Sequence, residues 1–175
     1  MLFSKIFLAS LLGAASAVVI PEGTEEGVWE HYVDANGNDI FNKLANATDY
    51  SAKKLGPYTP ETFAGRFKRQ ADVAHCGAGN ELNHADTDAA NADLDWQCDH
   101  YDPTKPRHNF FSIRGDVVAF FCNFDSVNSH KCSSGSRQYT SGLITQKCSW
   151  YRPGWTNYAP HDTSYGYTGK DRFCS

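Results

Sequence analysis

From residue 70 onward the chain carries His75, His84, His100, His108, His130 and His161 among many aspartates. Imidazole and carboxylate side chains in reach of one another exchange protons with a reacting group, so acid–base catalysis is the first chemistry these residues offer. Phosphodiester transfer by a small secreted ribonuclease uses a glutamate base with an arginine and a histidine acid on facing strands. This stretch has one glutamate, Glu81, placed before the first expected helix and not on a strand. That leaves catalysis to an unrelated use of one of the six histidines with an aspartate. For nucleophiles the sequence is poorer: no Gly-x-Ser-x-Gly elbow occurs. Ser126, Ser129, Ser133, Ser134, Ser136 and Ser141 fall in a polar loop and a helix start, where capping explains them. Two groups hold metal-type donors, His84 with Asp86 and Asp88, and His100 with Asp99 and Asp102. Neither has a recognisable ligand spacing, so helix capping and solvation are the favoured reading; no metal and no cofactor are expected.

Recognition has better candidates. Arg114-Gly115-Asp116 lies between two strand-like runs and sets a cation and an anion on a tight turn, although glycine and aspartate are ordinary turn residues. Trp150, Tyr151, Arg152 and Trp155 gather large aromatics beside the Pro153-Gly154 turn, a composition enriched at contact hot spots and carbohydrate platforms.

The elements that position these residues follow from periodicity. Asp86-Thr87 supplies a cap, and Ala90, Leu94 and Cys98 recur at fourfold spacing, predicting a helix over Thr87–Gln97 with the aspartates on its solvated face. Asn109 to Ile113 and Val117 to Asn123 are rich in aromatic and β-branched residues around Arg114-Gly115-Asp116, which predicts a hairpin. Its second strand, Val117-Val118-Ala119-Phe120-Phe121-Cys122, is apolar on both alternating faces, so it belongs in the centre of a sheet. Ser133 to Ser136 offer caps, and the rows Tyr139, Leu143 and Thr140, Ile144, Cys148 predict a second helix through Gly142. Short final strands are expected at Trp150-Tyr151 and at Ser164 to Thr168. The order helix, strand, strand, helix, strand, strand predicts an α+β fold, with two helices on an antiparallel sheet in a two-layer α/β sandwich.

Processing signals bracket the first seventy residues. Lys5, the apolar run Ile6 to Leu12, and Ala15 and Ala17 make a secretion signal over residues 1–17, too short and too interrupted for the roughly 20 apolar residues a membrane span needs. Lys68-Arg69 is a dibasic site of the kind a kexin-type protease cuts. Residues 18–69 have no cysteine, many acids and several turn formers, and read as a loosely structured propeptide to be discarded, with a glycosylation sequon at Asn46-Ala47-Thr48. Residues 70–175 then form the mature domain. They hold all six cysteines, Cys76, Cys98, Cys122, Cys132, Cys148 and Cys174, which permit 15 pairings. In a secreted chain an even count without paired Cys-x-x-Cys spacing points to three disulfides. From Ala71 on there are 12 acidic residues against 9 Lys or Arg, a net of about minus three, so no phosphate-tracking surface and no nucleic-acid partner is expected.

The runs His84-Ala85-Asp86-Thr87-Asp88-Ala89-Ala90, Val117 to Asn123, Cys148-Ser149-Trp150-Tyr151-Arg152-Pro153-Gly154-Trp155 and Ser164-Tyr165-Gly166-Tyr167 resemble small secreted cysteine-rich proteins of filamentous ascomycete fungi, mostly effector candidates. More remotely, a helix ending in cysteine, a strand of valine, alanine, phenylalanine and cysteine, and a capped helix ending in cysteine are similar to the smut killer-toxin family and the necrosis-inducing effectors related to it. The resemblance implies a disulfide-stapled killer-toxin-like sandwich, secretion, and toxicity or host manipulation without catalysis. Some members of that family act by inhibiting calcium channels; this chain departs from the toxin pattern in cysteine number and in its acidic mature domain, which weakens a channel-blocking role. The expectation is a secreted, extracellular, monomeric effector or toxin-like protein that binds a host or competitor protein or a cell-surface target. The alternatives are a small secreted enzyme such as a ribonuclease, or a cell-wall carbohydrate binder.

Overall fold

The structure, a computed structural model, describes residues 17–47, 73–170 and 172–174. Most of the signal segment, Thr48 of the sequon and the Lys68-Arg69 site lie outside the described residues; Ala17 lies within them. Among the described residues, nine strands and two helices run in the order β1 (Val18–Val19), β2 (Gly27–Val33), β3 (Asp39–Asn46), β4 (Val73–Cys76), α1 (His84–His100), β5 (Asn109–Arg114), β6 (Val117–Asn123), α2 (Ser134–Cys148), β7 (Gly154–Tyr158), β8 (Thr163–Gly169) and β9 (Arg172–Phe173), with one 3-10 turn over Ala159–His161. Seven strands make an antiparallel sheet in the order β3-β2-β5-β6-β8-β7-β4, while β1 and β9 pair as a separate ribbon. This is the expected α+β arrangement of two helices on an antiparallel sheet.

The hairpin over β5 and β6 forms as its composition predicts. β6 is the middle strand of the seven and is buried along its whole length, because its two apolar faces feed two cores. On the helix side, Val117, Ala119 and Phe121 pack with Ala90, Leu94 and Cys98 of α1, Ile144 of α2, and Tyr165 and Tyr167 of β8. On the other side, Val118, Phe120 and Cys122 pack with Phe111, Ile113, the ribbon residues Val18 and Phe173, and Ile20 just after β1. Gly166 is required here, since a Cβ at that position would lie 2.5 Å from the Phe120 ring, 2.6 Å from the Gly154 carbonyl oxygen and 2.7 Å from Trp155 Cβ.

Several local expectations are corrected. The first helix begins three residues early and ends three late: its cap is Asn83, whose side chain accepts from the Asp86 N–H at 3.0 Å, and not Asp86-Thr87. Trp150-Tyr151 is a turn, not a strand, because Ser149 and Tyr151 take positive φ of 78° and 56° and the strand starts only at Gly154. The aspartate row of α1 is not uniformly solvated. Asp88 and Asp99 are exposed, as is Asp102 just past the helix, whereas Asp93 and Asp95 are buried and each faces an arginine. Asp95 accepts from Arg137 Nε at 2.6 Å and also from Arg137 Nη2, with Gln138 Nε2 at 3.0 Å, and so ties α1 to α2. A pattern of hydrophobic spacing cannot register a carboxylate that pairs across helices.

The largest difference concerns residues 18–46, which are not loosely structured. β2 lies between β3 and β5 inside the main sheet, with Gly27 to His31 paired to Ile113 to Asn109. Trp29 stacks near-parallel on Phe111 at 6.3 Å, Gln97 Nε2 donates to the Trp29 carbonyl at 2.8 Å, and Tyr101 donates its hydroxyl to the Leu44 carbonyl at 3.1 Å. The folded unit therefore draws on both sides of the expected cleavage site.

The six cysteines pair as Cys76–Cys148, Cys98–Cys132 and Cys122–Cys174, closing separations of 72, 34 and 52 residues. They join β4 to the end of α2, the end of α1 to the loop before α2, and β6 to the chain beyond β9. Each typically contributes about 2–4 kcal/mol by restricting the unfolded chain. Alkylation of the native protein without reductant is expected to label no cysteine; modification of two or more would contradict the pairing, and mass spectrometry reads it directly.

Candidate functional site

The recognition candidates separate into three places. Arg114 is held inside the fold: Nε and Nη2 bond to the two Asp93 carboxylate oxygens at 2.7 and 3.2 Å, and Asp93 is 1% exposed. Gly115 has a φ of 50°, donates its N–H to Glu26 Oε1 at 2.9 Å, and sits so close to Asp86 that a Cβ would lie 2.4 Å from that carboxylate. Of the three, only Asp116 is exposed. The arginine and the glycine of this tip serve to dock the hairpin on α1, and they present no cation to a partner.

Trp155 lies on the ribbon side of the sheet, half-buried, stacked on His75 at 5.5 Å. Beside it is a cavity of about 60 Å³ lined by Phe120, Phe124, Trp155, Arg172 and Phe173. That volume suits a water or two, well short of the roughly 300 Å³ from which small-molecule pockets start.

Trp150 and Tyr151 form an exposed aromatic corner beside the first turn of α1. The positive φ of Tyr151 turns its ring onto His84, with centroids 3.8 Å apart and planes within 12°. The Tyr151 hydroxyl donates to Asp88 at 3.3 Å, and its backbone carbonyl accepts from the Leu82 N–H at 2.9 Å. Burial and the neighbouring Asp88 carboxylate both push the phenol upward, so it stays a neutral donor. His84 bonds in turn to Glu81. Arg152 donates to the Gly79 carbonyl at 2.9 Å and fixes the loop beneath. Trp150 itself is 62% exposed, tilted against Tyr151, and is the largest apolar side chain left in solvent among the described residues. A fixed stack carrying an exposed indole is a ready contact surface, because little conformational freedom remains to be lost on binding.

The two metal-type groups do not converge. His84 goes to Glu81, Asp86 lies under Gly115 and Asp88 meets Tyr151; His100 bonds to the Trp96 carbonyl, and Asp99 accepts from the Ser134 N–H. Among the described residues, no group of three or more His, Cys, Asp or Glu side chains could hold a metal ion, and no helix is long and apolar enough to cross a membrane.

At one end of the sheet, sequence reasoning named His108 and His130 as candidate histidines but missed what they meet. There, Glu30 Oε1 lies 2.8 Å from His108 Nδ1, with Tyr32 stacked on the imidazole at 4.4 Å. Asp125 lies 3.0 Å from His130 Nε2 and accepts from the N–H groups of Val127 and Asn128. The Asn128 bonds chiefly, with His130 and Val127 in support, hold the Asp125 carboxyl below the usual carboxylate range. Buried His31 bonds Asp39 at 2.8 Å and Asn109 at 3.1 Å. The missing signal was Glu30, set aside with the segment expected to be discarded. No family model, no curated protein and no solved structure matches this chain.

Proposed function

We propose that this is a secreted effector or toxin-like protein that works by binding a host or competitor target, with the Trp150–Tyr151–His84 corner as its contact surface. The observation that carries this reading is the exposed indole on a pre-stacked aromatic base, since hot spots are enriched in tryptophan and tyrosine set in rigid surroundings. Three disulfides suit an oxidising, extracellular setting. The signal at residues 1–17 and the dibasic site at Lys68-Arg69 belong to the same reading, as does the resemblance to the killer-toxin-like sandwich. The partner is a protein or cell-surface target, met by a monomer.

The test is infiltration of purified protein into plant tissue beside an antimicrobial plate assay, comparing Trp150→Ala with Arg114→Ala. Trp150→Ala is expected to weaken activity about 30-fold or more, the effect of a hot-spot loss of about 2 kcal/mol, at an unchanged thermal midpoint. Arg114→Ala removes the guanidinium paired with buried Asp93 and is expected to lower the midpoint instead. A fully active Trp150→Ala chain removes this surface from the proposal.

A further inference from the structure

The charge around the Trp150 corner narrows what can meet it. The buried aspartates of α1, Asp93 and Asp95, each face an arginine. The acids at the corner do not. The Glu81 carboxylate bonds to His84 and that of Asp88 to the Tyr151 hydroxyl, and neither meets a lysine or arginine among the described residues. Both are exposed. Lys147 and Arg152, the cations on either side of Trp150 in the sequence, direct their charged ends to the backbone carbonyls of Ala74 and Gly79 at 2.6 and 2.9 Å. They are occupied in fixing β4 and the loop after it.

Acids near a helix N-terminus have an ordinary explanation in the helix dipole, and it accounts for Asp86 in the first turn of α1. It does not account for the other two. Glu81 precedes the helix and its Asn83 cap, and Asp88 lies beyond the first turn, where the dipole has little effect.

These carboxylates border the ring on which Trp150 rests. Asp88 holds the Tyr151 hydroxyl, Glu81 holds the His84 ring that covers Tyr151 at 3.8 Å, and the indole is tilted against the same tyrosine at 6.1 Å. A cation is attracted to the face of an indole by the ring quadrupole, and its N–H groups can then pair with a carboxylate alongside. An anionic partner would meet charge of its own sign, and an apolar one would strip water from carboxylates left unpaired. A free small cation is a poor fit too, since sites for such ligands cage them between several rings and here one exposed indole is offered. A side chain carried on a larger partner suits a single face.

We propose that the Trp150 corner binds a cationic segment of a partner protein, with a lysine or arginine side chain laid on the indole and paired to Glu81 or Asp88. This rests on the corner being the contact surface and adds the chemistry of what meets it. The excess of acids over Lys and Arg from Ala71 onward, 12 against 9, acts in the same direction by drawing a basic partner in at long range.

The experiment titrates the purified full chain calorimetrically with tetra-arginine, tetra-glutamate and spermidine. Tetra-arginine is expected to bind saturably, with an affinity that falls as sodium chloride rises from about 20 to about 200 mM. Trp150→Ala, and separately Glu81→Gln with Asp88→Asn, are expected to weaken it about 5-fold or more at an unchanged thermal midpoint. Asp99→Asn with Asp102→Asn, an equal loss of charge at the far end of α1, is expected to leave it within about 2-fold, since charges farther apart than a Debye length of roughly 10 Å are largely screened. No saturable binding of tetra-arginine, equal binding of tetra-glutamate or spermidine, or equal weakening by the two double variants overturns the proposal. The tissue and plate assays separate it from the reading beneath it. If Trp150→Ala loses activity while Glu81→Gln with Asp88→Asn keeps it in full, the corner stands as a contact surface and its cationic partner does not.

Discussion

A cut after Arg69 is expected to leave two chains that stay together. Residues 18–46 supply Val18, Ile20 and Val28 to the cores, and each such side chain is worth about 1.5–3 kcal/mol when buried. Those three alone approach the 5–15 kcal/mol of net stability typical of a whole domain. β2 also saturates the edge of β5, and Lys170 Nζ reaches back to the Thr24 carbonyl at 2.6 Å. The segment has no cysteine, so nothing covalent holds it after cleavage. Size-exclusion chromatography of the cut protein should therefore show one species, which denaturant without reductant resolves into two masses. Residues 70–175 produced alone should aggregate or unfold at a far lower temperature. A free 70–175 chain with the full thermal midpoint would show instead that β1 to β3 are dispensable.

Asp95→Ala is expected to be the most damaging single substitution, at about 3–5 kcal/mol, because it leaves the Arg137 guanidinium buried between helices without a counter-charge. The cost comes from the stranded partner more than from the lost attraction. Replacing both residues, as Asp95→Leu with Arg137→Met, should accordingly recover most of the loss. Chemical denaturation of the single and double variants decides it. Equal destabilisation by both would mean that the pair contributes geometry and not charge balance.

These two features also mark where the sequence was legible. β5 and β6 could be read because their composition is apolar on both faces, and α2 because Ser133 and the Thr140, Ile144, Cys148 row announce it. β2 and β3 were available in principle: Asp34-Ala35-Asn36-Gly37-Asn38 is a strong hairpin signal, and Gly37 indeed takes a φ of 86°. The uneven distribution of cysteine and charge outweighed it. The ion pairs of Asp93 and Asp95 were not legible, since each partner lies on another element, 21 or 42 residues away. The site suffered for both reasons. Trp150 could be picked out by type alone, whereas the burial of Arg114 and the meeting of Glu30 with His108, 78 residues apart, exist only once the sheet is assembled.

The β1–β9 ribbon has a consequence for biosynthesis. Val18 pairs with Phe173, so the first strand waits for a partner through the synthesis of almost the whole remaining sequence. Translation at about 5–20 residues per second makes that a delay of many seconds, during which Phe111, Ile113 and Phe120 lack their cover. The bridge from Cys122 to Cys174 is then the last that can be oxidised, and an oxidase acting early can join Cys122 only to a wrong partner. A carrier protein fused directly before Val18 would abut the same ladder that a tag directly after Cys174 would. A spacer is needed at both ends for recombinant material to close its seam.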